Sequence, residues 1–381
     1  MTSLPILPPA MLGILGGGQL GSMFTLAAKT MGYRVTVLDP DPNAPAARFA
    51  DIHLCAPYDD ATALTQLSQC AAVTTEFENV NAQAMKDLAQ HTRVSPSGEC
   101  VAVAQNRILE KARITQAGLA TAPYHAMTSS DDINDDCLSL LPGILKTATL
   151  GYDGKGQIRV QTLADVQAAF AQLNQVPCVL EKQVDLRAEI SVIVCRLNAE
   201  NSLTFDPAEN HHENGILAYS IVPARLPENV CQQARQMALR LAEELDYVGV
   251  LAVEMFVVGD EQQLIVNEIA PRPHNSGHHT IDACSSSQFQ QQVRIMCGLP
   301  PADTRLLTPC CMANILGDLW GNAGEEPRWQ TVQNTTNAHL HLYGKLVARK
   351  GRKMGHFTVL ADQADKAFSQ AKNLHQQLSF E

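Results

Sequence analysis

Val266-Asn-Glu-Ile-Ala-Pro-Arg-Pro-His-Asn-Ser-Gly-His-His-Thr280 begins as an apolar strand and ends as a polar loop. Its fifteen positions hold a carboxylate, an arginine, three histidines and two asparagines. A hydrophobic core has no use for that mixture. It suits a place where a metal-bound phosphate meets a second small anion. The preceding stretch Val248–Val258 (VGVLAVEMFVV) is apolar and β-branched apart from Glu254, and Gly259, Asp260 and Glu261 read as a turn into the returning strand Gln263–Ala270. With the turn centred on Glu261, Glu254 and Glu268 fall opposite each other on one face. Facing like charges destabilise a hairpin, and a lone carboxylate on an apolar strand is costly. A divalent cation between them removes both costs, and hard oxygen ligands suit Mg²⁺ shared with substrate phosphates. The competing reading is two exposed glutamates on the wet side of a sheet. Asn267 and Arg272 beside the second glutamate favour the metal.

At the other end of the chain, Met11-Leu-Gly-Ile-Leu reads as a buried strand, Gly16-Gly-Gly-Gln-Leu-Gly21 as a tight turn, Ser22–Met31 as a helix and Tyr33–Asp39 as a second strand. This is a βαβ unit of a parallel, doubly wound sheet. Val73–Glu78 reads as a later strand with Glu76 and Glu78 at its carboxyl end, the edge where such sheets bind ligands. Gly16-x-Gly18-x-x-Gly21 with Asp39 also fits the dinucleotide fingerprint, so an NAD-dependent oxidoreductase stays open at this point. No second mononucleotide-binding half follows. We therefore assign the loop and its helix N-terminus to the anion of a phosphorylated substrate. A Pro-, Ser- and Gly-rich turn at 95–98 leads into a helix over Val101–Ala117.

A different nucleotide set occupies the middle. Ile144–Lys146 is a strand, followed by Gly151-Tyr-Asp-Gly-Lys-Gly-Gln157, whose three glycines let backbone N–H groups close over phosphates. Val179–Val184 is a strand that leads through Asp185–Arg187 into Glu189–Cys195. Asn229–Leu245 is an amphipathic helix. Short strands at 311–316, 338–342 and 356–359 and a closing helix at 362–378 complete the chain.

Composition limits the partners. A net charge of −11 argues against nucleic acid or an anionic membrane, and no run of eighteen apolar residues is available to span a bilayer. The eleven cysteines, Cys55, Cys195 and Cys297 among them, lack a CxxC pair and read as buried thiols of a reducing cytosol.

The lysine strand, glycine-rich flap, hinge with glutamate and two metal carboxylates ending in an Asn-Glu pair resemble the ATP-grasp superfamily. Gly16–Gly21, Thr75-Glu-Phe-Glu-Asn-Val80, Gly151–Gln157, Glu209-Asn-x-His212-x-x-Gly-Ile-Leu217, Asn267–Thr280 and His341-Leu-Tyr-Gly-Lys345 narrow the resemblance to its carboxyaminoimidazole ribonucleotide synthase family. The resemblance implies an α/β chain: a Rossmann-like parallel-sheet domain (1–106), an ATP-grasp domain (107–300) and a small β-rich C-terminal domain (301–381). It implies a cytoplasmic, homodimeric, ATP-dependent C–N ligase of purine biosynthesis that uses ATP, Mg²⁺, bicarbonate and 5-aminoimidazole ribonucleotide. On this resemblance Glu254 and Glu268 hold Mg²⁺, with Asn267 beside the ATP phosphates. Arg107, Lys146 and the flap residues Gly151, Tyr152, Asp153, Gly154, Lys155, Gly156 and Gln157 clamp those phosphates. Glu181, Lys182, Gln183, Val184, Glu189 and His212 meet the nucleoside. Arg272, His274, Asn275 and Ser276 bind bicarbonate, and Glu76 lies near it or near the aminoimidazole. Gly17, Gly18, Gln19 and Leu20 line the ribose side of the ribonucleotide, and Lys345 and Arg352 meet its phosphate. His278 and His279 shape the loop. A formate-dependent glycinamide ribonucleotide transformylase would share the nucleotide set without needing the Arg-Pro-His-Asn-Ser loop. A non-catalytic ATP-binding regulator would give that loop no purpose.

Overall fold

The computed structural model describes residues 4–149, 151, 156–321 and 324–378. The flap residues Tyr152, Asp153, Gly154 and Lys155 lie outside the described residues. Three sheets organise the chain. The first holds β1 (Met11–Leu15), β2 (Arg34–Leu38), β3 (Ile52–Leu54), β4 (Ala72–Thr75) and β5 (Arg93–Val94), all parallel in the order β3-β2-β1-β4-β5. β1, β2 and β4 are almost entirely buried, as expected of parallel strands covered on both faces. β4 stops at Thr75, so Glu76 and Glu78 lie just beyond the strand that the sequence assigned them to.

The second sheet is antiparallel: β6 (Tyr124–Met127), β7 (Gly143–Thr147), β8 (Gln157–Val160) and β9 (Cys178–Lys182), in the order β6-β9-β7-β8. The third runs β15-β14-β10-β12-β13-β16-β18-β17, with β11 on the side of β10. Its members are β10 (Leu186–Arg196), β11 (Ser202–Thr204), β12 (Ala208–Glu213), β13 (Ile216–Val222), β14 (Gly249–Val258), β15 (Gln263–Ala270), β16 (Cys310–Leu316), β17 (Ala338–Leu342) and β18 (Lys353–Leu360). The C-terminal strands join it where β16 pairs with β13. The helix Glu228–Glu244 covers this sheet, its Ala234, Met237, Ala238 and Leu241 packed with Val192, Leu251 and Val253.

The helix expected over 101–117 is two helices, Gly98–Ala104 and Arg107–Gln116. The side chain of Asn106 accepts hydrogen bonds from the N–H groups of Ile108 and Leu109. That cap supplies partners for the orphan donors of a new helix start, so the chain breaks there. All eleven cysteines are free thiols. Cys55 is exposed, against the expectation of burial, because it follows the edge strand β3.

Candidate active site

A cleft opens between the second and third sheets. Lys146 (β7), Glu181 and Lys182 (β9), Glu189 (β10), His212 (β12), Glu254 (β14) and Asn267 and Glu268 (β15) line it, with Gln183, Val184, Arg107, Gly151, Gln157, Arg272, His274 and Asn275. Most of the residues expected to meet ATP and bicarbonate thus line one cavity; Gly156, Ser276 and Glu76 are not among its lining residues.

Glu254 pairs with Glu268 in the β14–β15 ladder, as the hairpin arithmetic required. The outer pairs, Met255 with Val266 through Val258 with Gln263, are offset by one residue, so Asn267 is an extra residue in a bulge. Consecutive residues of a regular strand face opposite sides. The bulge re-aims the chain, and Asn267 and Glu268 both reach the cleft.

Charge is crowded here. Glu268 accepts a hydrogen bond from Arg107 Nη1 at 3.0 Å. Burial, with Glu268 nearby, pushes the Glu254 carboxyl up to about 8. The same causes push Glu110 to about 8, although its Oε1 accepts the Ile269 N–H at 2.7 Å. Glu181 has the opposite balance. Its oxygens lie 3.1 Å from Lys111 Nζ and 2.7 Å from Lys146 Nζ. Burial alone would raise it, but the two ammonium groups hold it below the ordinary carboxylate range. Lys146 and Glu181, expected to reach a nucleotide, thus hold each other in this structure.

His274 Nε2 lies 3.1 Å from Glu254 Oε1. Burial, then Arg272 and Lys353, keep His274 neutral, and Glu254 is pushed towards its neutral form, so the contact is a neutral hydrogen bond rather than an ion pair. One relay fixes its direction. The Asn210 amide donates to Ser191 Oγ at 3.0 Å, and Ser191 Oγ donates to Ser276 Oγ at 2.7 Å. Ser276 Oγ lies 2.9 Å from His274 Nδ1. With the Ser276 hydroxyl accepting from Ser191, its proton is left for Nδ1, and His274 presents Nε2–H to Glu254. Ser276 is fully buried and its hydroxyl is committed to this relay. The hydroxyl expected against bicarbonate is thus turned to His274 Nδ1 and Ser191 in this structure.

His212 Nδ1 lies 2.7 Å from Glu189 Oε2. Burial lowers this imidazole, but the Glu189 hydrogen bond and charge outweigh it and raise the pKa. Arg272 Nε donates to Glu78 Oε2 at 2.5 Å. Burial would raise Glu78, and Arg272 overrides it and holds the carboxyl low. Both polar atoms of the nearly buried Asn275 amide lack a hydrogen-bond partner at the cleft wall. His278 and His279 are buried in the following loop, where His279 Nδ1 meets Ser276 O at 2.9 Å.

The first glycine loop is built differently. Gly17 N–H donates to Asp39 Oδ2 at 2.7 Å, and Gly18 and Gly21 N–H donate to Glu76 Oε1 at 2.8 Å and Oε2 at 2.6 Å. The anion on this loop is thus a carboxylate of the chain itself, not the substrate phosphate assigned to it. A Cβ on Gly16 or Gly18 would collide with Glu76, and Gly16 holds φ +100°. Asp39 also accepts from Tyr58 OH at 2.9 Å and from Asp41 N–H at 2.8 Å. These contacts consume the acidic residue that a dinucleotide site needs for ribose. Leu20 packs into the core with Phe24 and Val37, so its side chain is not a substrate contact.

Lys345 Nζ donates to Gln19 Oε1 at 2.8 Å and to Lys353 O at 2.7 Å. Burial, with Arg352 adding to it, lowers its pKa to about 8. Arg352 donates to Val347 O at 2.8 Å on the exposed side of the same segment. Glu110 and Arg159, which had no signal in the sequence, line the cleft, as do Glu78, read only as lying at the ligand edge of the first sheet, and Lys353, one of the cations of the 345–353 segment; Lys111 is buried behind it. The position of Glu78, two residues after Glu76 at the end of a ligand-binding sheet, was a usable signal. Lys111 had none, because its helix carries charge on several faces.

A lysine strand facing a carboxylate hairpin across a cleft, behind a parallel-sheet domain, defines an ATP-grasp enzyme. Residues 112–289 match the ATP-grasp domain, 10–105 the ribonucleotide synthetase preATP-grasp domain and 310–370 the phosphoribosylaminoimidazole carboxylase C-terminal domain. The chain is 43% identical over 376 residues to the N5-carboxyaminoimidazole ribonucleotide synthase of Bacillus subtilis, covering 98% of this chain and 97% of the relative. The Staphylococcus aureus N5-carboxyaminoimidazole synthetase complexed with ADP superposes with a TM-score of 0.90 at 36% identity, covering 98% and 99% of the two chains. The Aspergillus clavatus synthase, solved with ADP and 5-aminoimidazole ribonucleotide, gives a TM-score of 0.88 at 30% identity, covering 97% and 98%. The chain belongs to the N5-carboxyaminoimidazole ribonucleotide synthase family of ATP-grasp ligases.

Proposed function

We propose that this enzyme carboxylates the amine of 5-aminoimidazole ribonucleotide at the expense of ATP and bicarbonate, in de novo purine biosynthesis. A bicarbonate oxygen attacks the γ-phosphorus of ATP, giving carboxyphosphate and ADP. The amine then bonds to the carboxyl carbon, directly or through CO₂ released from carboxyphosphate. Phosphate leaves with its electron pair, and the amine gives up a proton. The products are N5-carboxyaminoimidazole ribonucleotide, ADP and phosphate.

The observation that carries this reading is the meeting, in one cleft, of the Glu254–Glu268 pair with Arg272, His274 and an Asn275 amide that has no partner of its own. Phosphoryl transfer needs charge neutralisation and in-line placement more than a protein nucleophile. Glu254 and Glu268 would hold Mg²⁺. Two hard oxygen donors, one of them pushed to about 8 by burial and then by its neighbour's charge, fit a divalent cation. When bound, the ion would neutralise charge developing on the phosphates. Asn267, set beside Glu268 by the bulge, is placed for the same phosphates. Arg107, Lys146 and the flap would clamp them, and Lys182–Val184, Glu189 and His212 would hold the nucleoside. Arg272 offers bicarbonate a planar guanidinium, His274 a ring fixed by the Ser276 relay, and Asn275 both amide atoms. Glu76, Gln19, Lys345 and Arg352 would face the ribonucleotide, with the ammonium of Lys345 on its phosphate. A cytoplasmic, homodimeric enzyme belongs to the same reading; free thiols throughout suit a reducing compartment. No helix among the described residues is long and apolar enough to cross a membrane.

An ADP-release assay tests the proposal. Turnover should require both bicarbonate and 5-aminoimidazole ribonucleotide. ADP release indifferent to both, or tight NADH binding to the first glycine loop, would refute it.

A further inference from the structure

Behind the bicarbonate loop lies a second cluster that the carboxylation chemistry does not use. Asp282 sits on the short helix Thr280–Ala283, His341 on β17 and His356 on β18. His341 and His356 are cross-strand partners with stacked rings, 4.6 Å between centroids. One ligand atom from each of the three residues lies within 4.8 Å of the others. Asp282 Oδ2 is 2.9 Å from His341 Nε2, and both residues are part-buried. His356 is fully buried. Its Nδ1 meets Tyr343 OH at 2.9 Å, while its Nε2 has no hydrogen-bond partner.

We propose that Asp282, His341 and His356 form a binding site for a first-row transition-metal dication, Zn²⁺ in particular. A buried ring nitrogen without a partner is costly, and a cation facing Nε2 removes that cost. Two imidazoles and one carboxylate suit zinc and its neighbours rather than Mg²⁺. A hydrogen bond on the far ring nitrogen commonly fixes a ligating histidine, and Tyr343 OH makes that bond to His356 Nδ1. Tetrahedral zinc–nitrogen bonds of about 2.1 Å place ligand atoms about 3.4 Å apart, so the three groups must close slightly. Side-chain rotation of the part-exposed His341 and Asp282 can supply that movement. An open depression lined by Asp282, His339 and His341 gives the ion a path in. His339, half-exposed with Nδ1 3.9 Å from Asp282 Oδ1, stands at its rim. The bound ion would tie the segment that follows the bicarbonate residues to the β17–β18 hairpin.

The test is equilibrium dialysis of the full-length protein against ZnCl₂ with excess MgCl₂ present, the metal being counted by atomic emission. Wild type should retain one zinc per chain. Asp282→Asn and His341→Gln, with unchanged circular dichroism, should each weaken retention by more than about tenfold. Co²⁺ in place of zinc should give wild type the visible d–d bands of a low-coordinate nitrogen-oxygen site, and the variants should lack them. EDTA should lower the thermal midpoint of wild type and leave that of Asp282→Asn unmoved. Failure of wild type to retain zinc above the magnesium-containing background would overturn the proposal. So would full zinc retention and unaltered cobalt bands in both variants.

Discussion

Glu181 and Glu254 face the same cleft, one on β9 and buried, the other on β14 and part-buried. Glu181 meets Lys111 and Lys146 and is held ionised. Glu254 pairs with Glu268 and contacts His274, and burial followed by the Glu268 charge pushes it to about 8. The first wall has two ammonium groups for one carboxylate, whereas on the second Arg107 meets only Glu268 of the facing carboxylate pair. On the first wall the protein supplies its own counter-ions; on the second, under the proposed function, a divalent cation would come in with the nucleotide.

The largest expected effect follows from removing the second wall's capacity for a cation. Glu268→Ala should lower kcat for bicarbonate-dependent ADP release by at least about 10²–10³-fold, with the protein still folded by circular dichroism. Undiminished turnover would remove Glu268 from the metal site. On the first wall, Glu181→Gln leaves two buried ammonium groups without their anion. That should cost about 3–5 kcal/mol, read as a lowered denaturant midpoint. A midpoint unchanged from wild type would show that the lysines find other partners.

The second wall also gives a pH dependence. In the metal-free protein Glu254 titrates near 8 when folded, against a reference of 4.5. The unfolded chain therefore loses its proton first. Stability is full below the reference value and declines as pH rises towards 8, by roughly 1.4 kcal/mol per pH unit at the steepest. Glu254→Gln should remove its share of that decline and leave the share of Glu110, which is pushed to about 8 by the same causes, and Mg²⁺ with nucleotide should restore more stability at pH 8 than at pH 6. The smallest effect concerns Lys345. With its pKa lowered to about 8, its ammonium is lost above that pH. The KM for the ribonucleotide should then rise several-fold while the KM for ATP holds. Lys345→Ala should raise the first KM at every pH and remove that rise, and equal effects on both substrates would refute a phosphate role.

The same contrast explains what could be read from the chain. Glu254 and Glu268 were paired by counting residues across a turn, because strand periodicity fixes which residues share a face. The parallel sheet was legible from its apolar strands and glycine turn. The bulge at Asn267 was not, since one extra residue leaves the apolar pattern of 263–270 intact. Lys111 and Glu110 lay hidden for another reason. In Arg107–Gln116 the charges are spread around the helix, and only the sheets packed on it decide which are buried. The contact of Ser276 with His274 was not legible, because a hydroxyl in a polar loop gives no sign of whether it faces substrate or a neighbouring histidine. The glycine loop misled for a similar reason. Its sequence announces an anion, but the anion is Glu76, fifty-five residues from Gly21 in the chain.

Under the proposed function Val266–Thr280 would join metal-bound ATP to bicarbonate, so that one oxygen passes between them. Turnover with freshly prepared ¹⁸O-bicarbonate, stopped before exchange with water and read by mass spectrometry of the phosphate, measures this directly. The released phosphate should carry a single ¹⁸O taken from bicarbonate. Phosphate without label, formed while the ribonucleotide is carboxylated at the normal rate, would contradict a carboxyphosphate intermediate in this cleft.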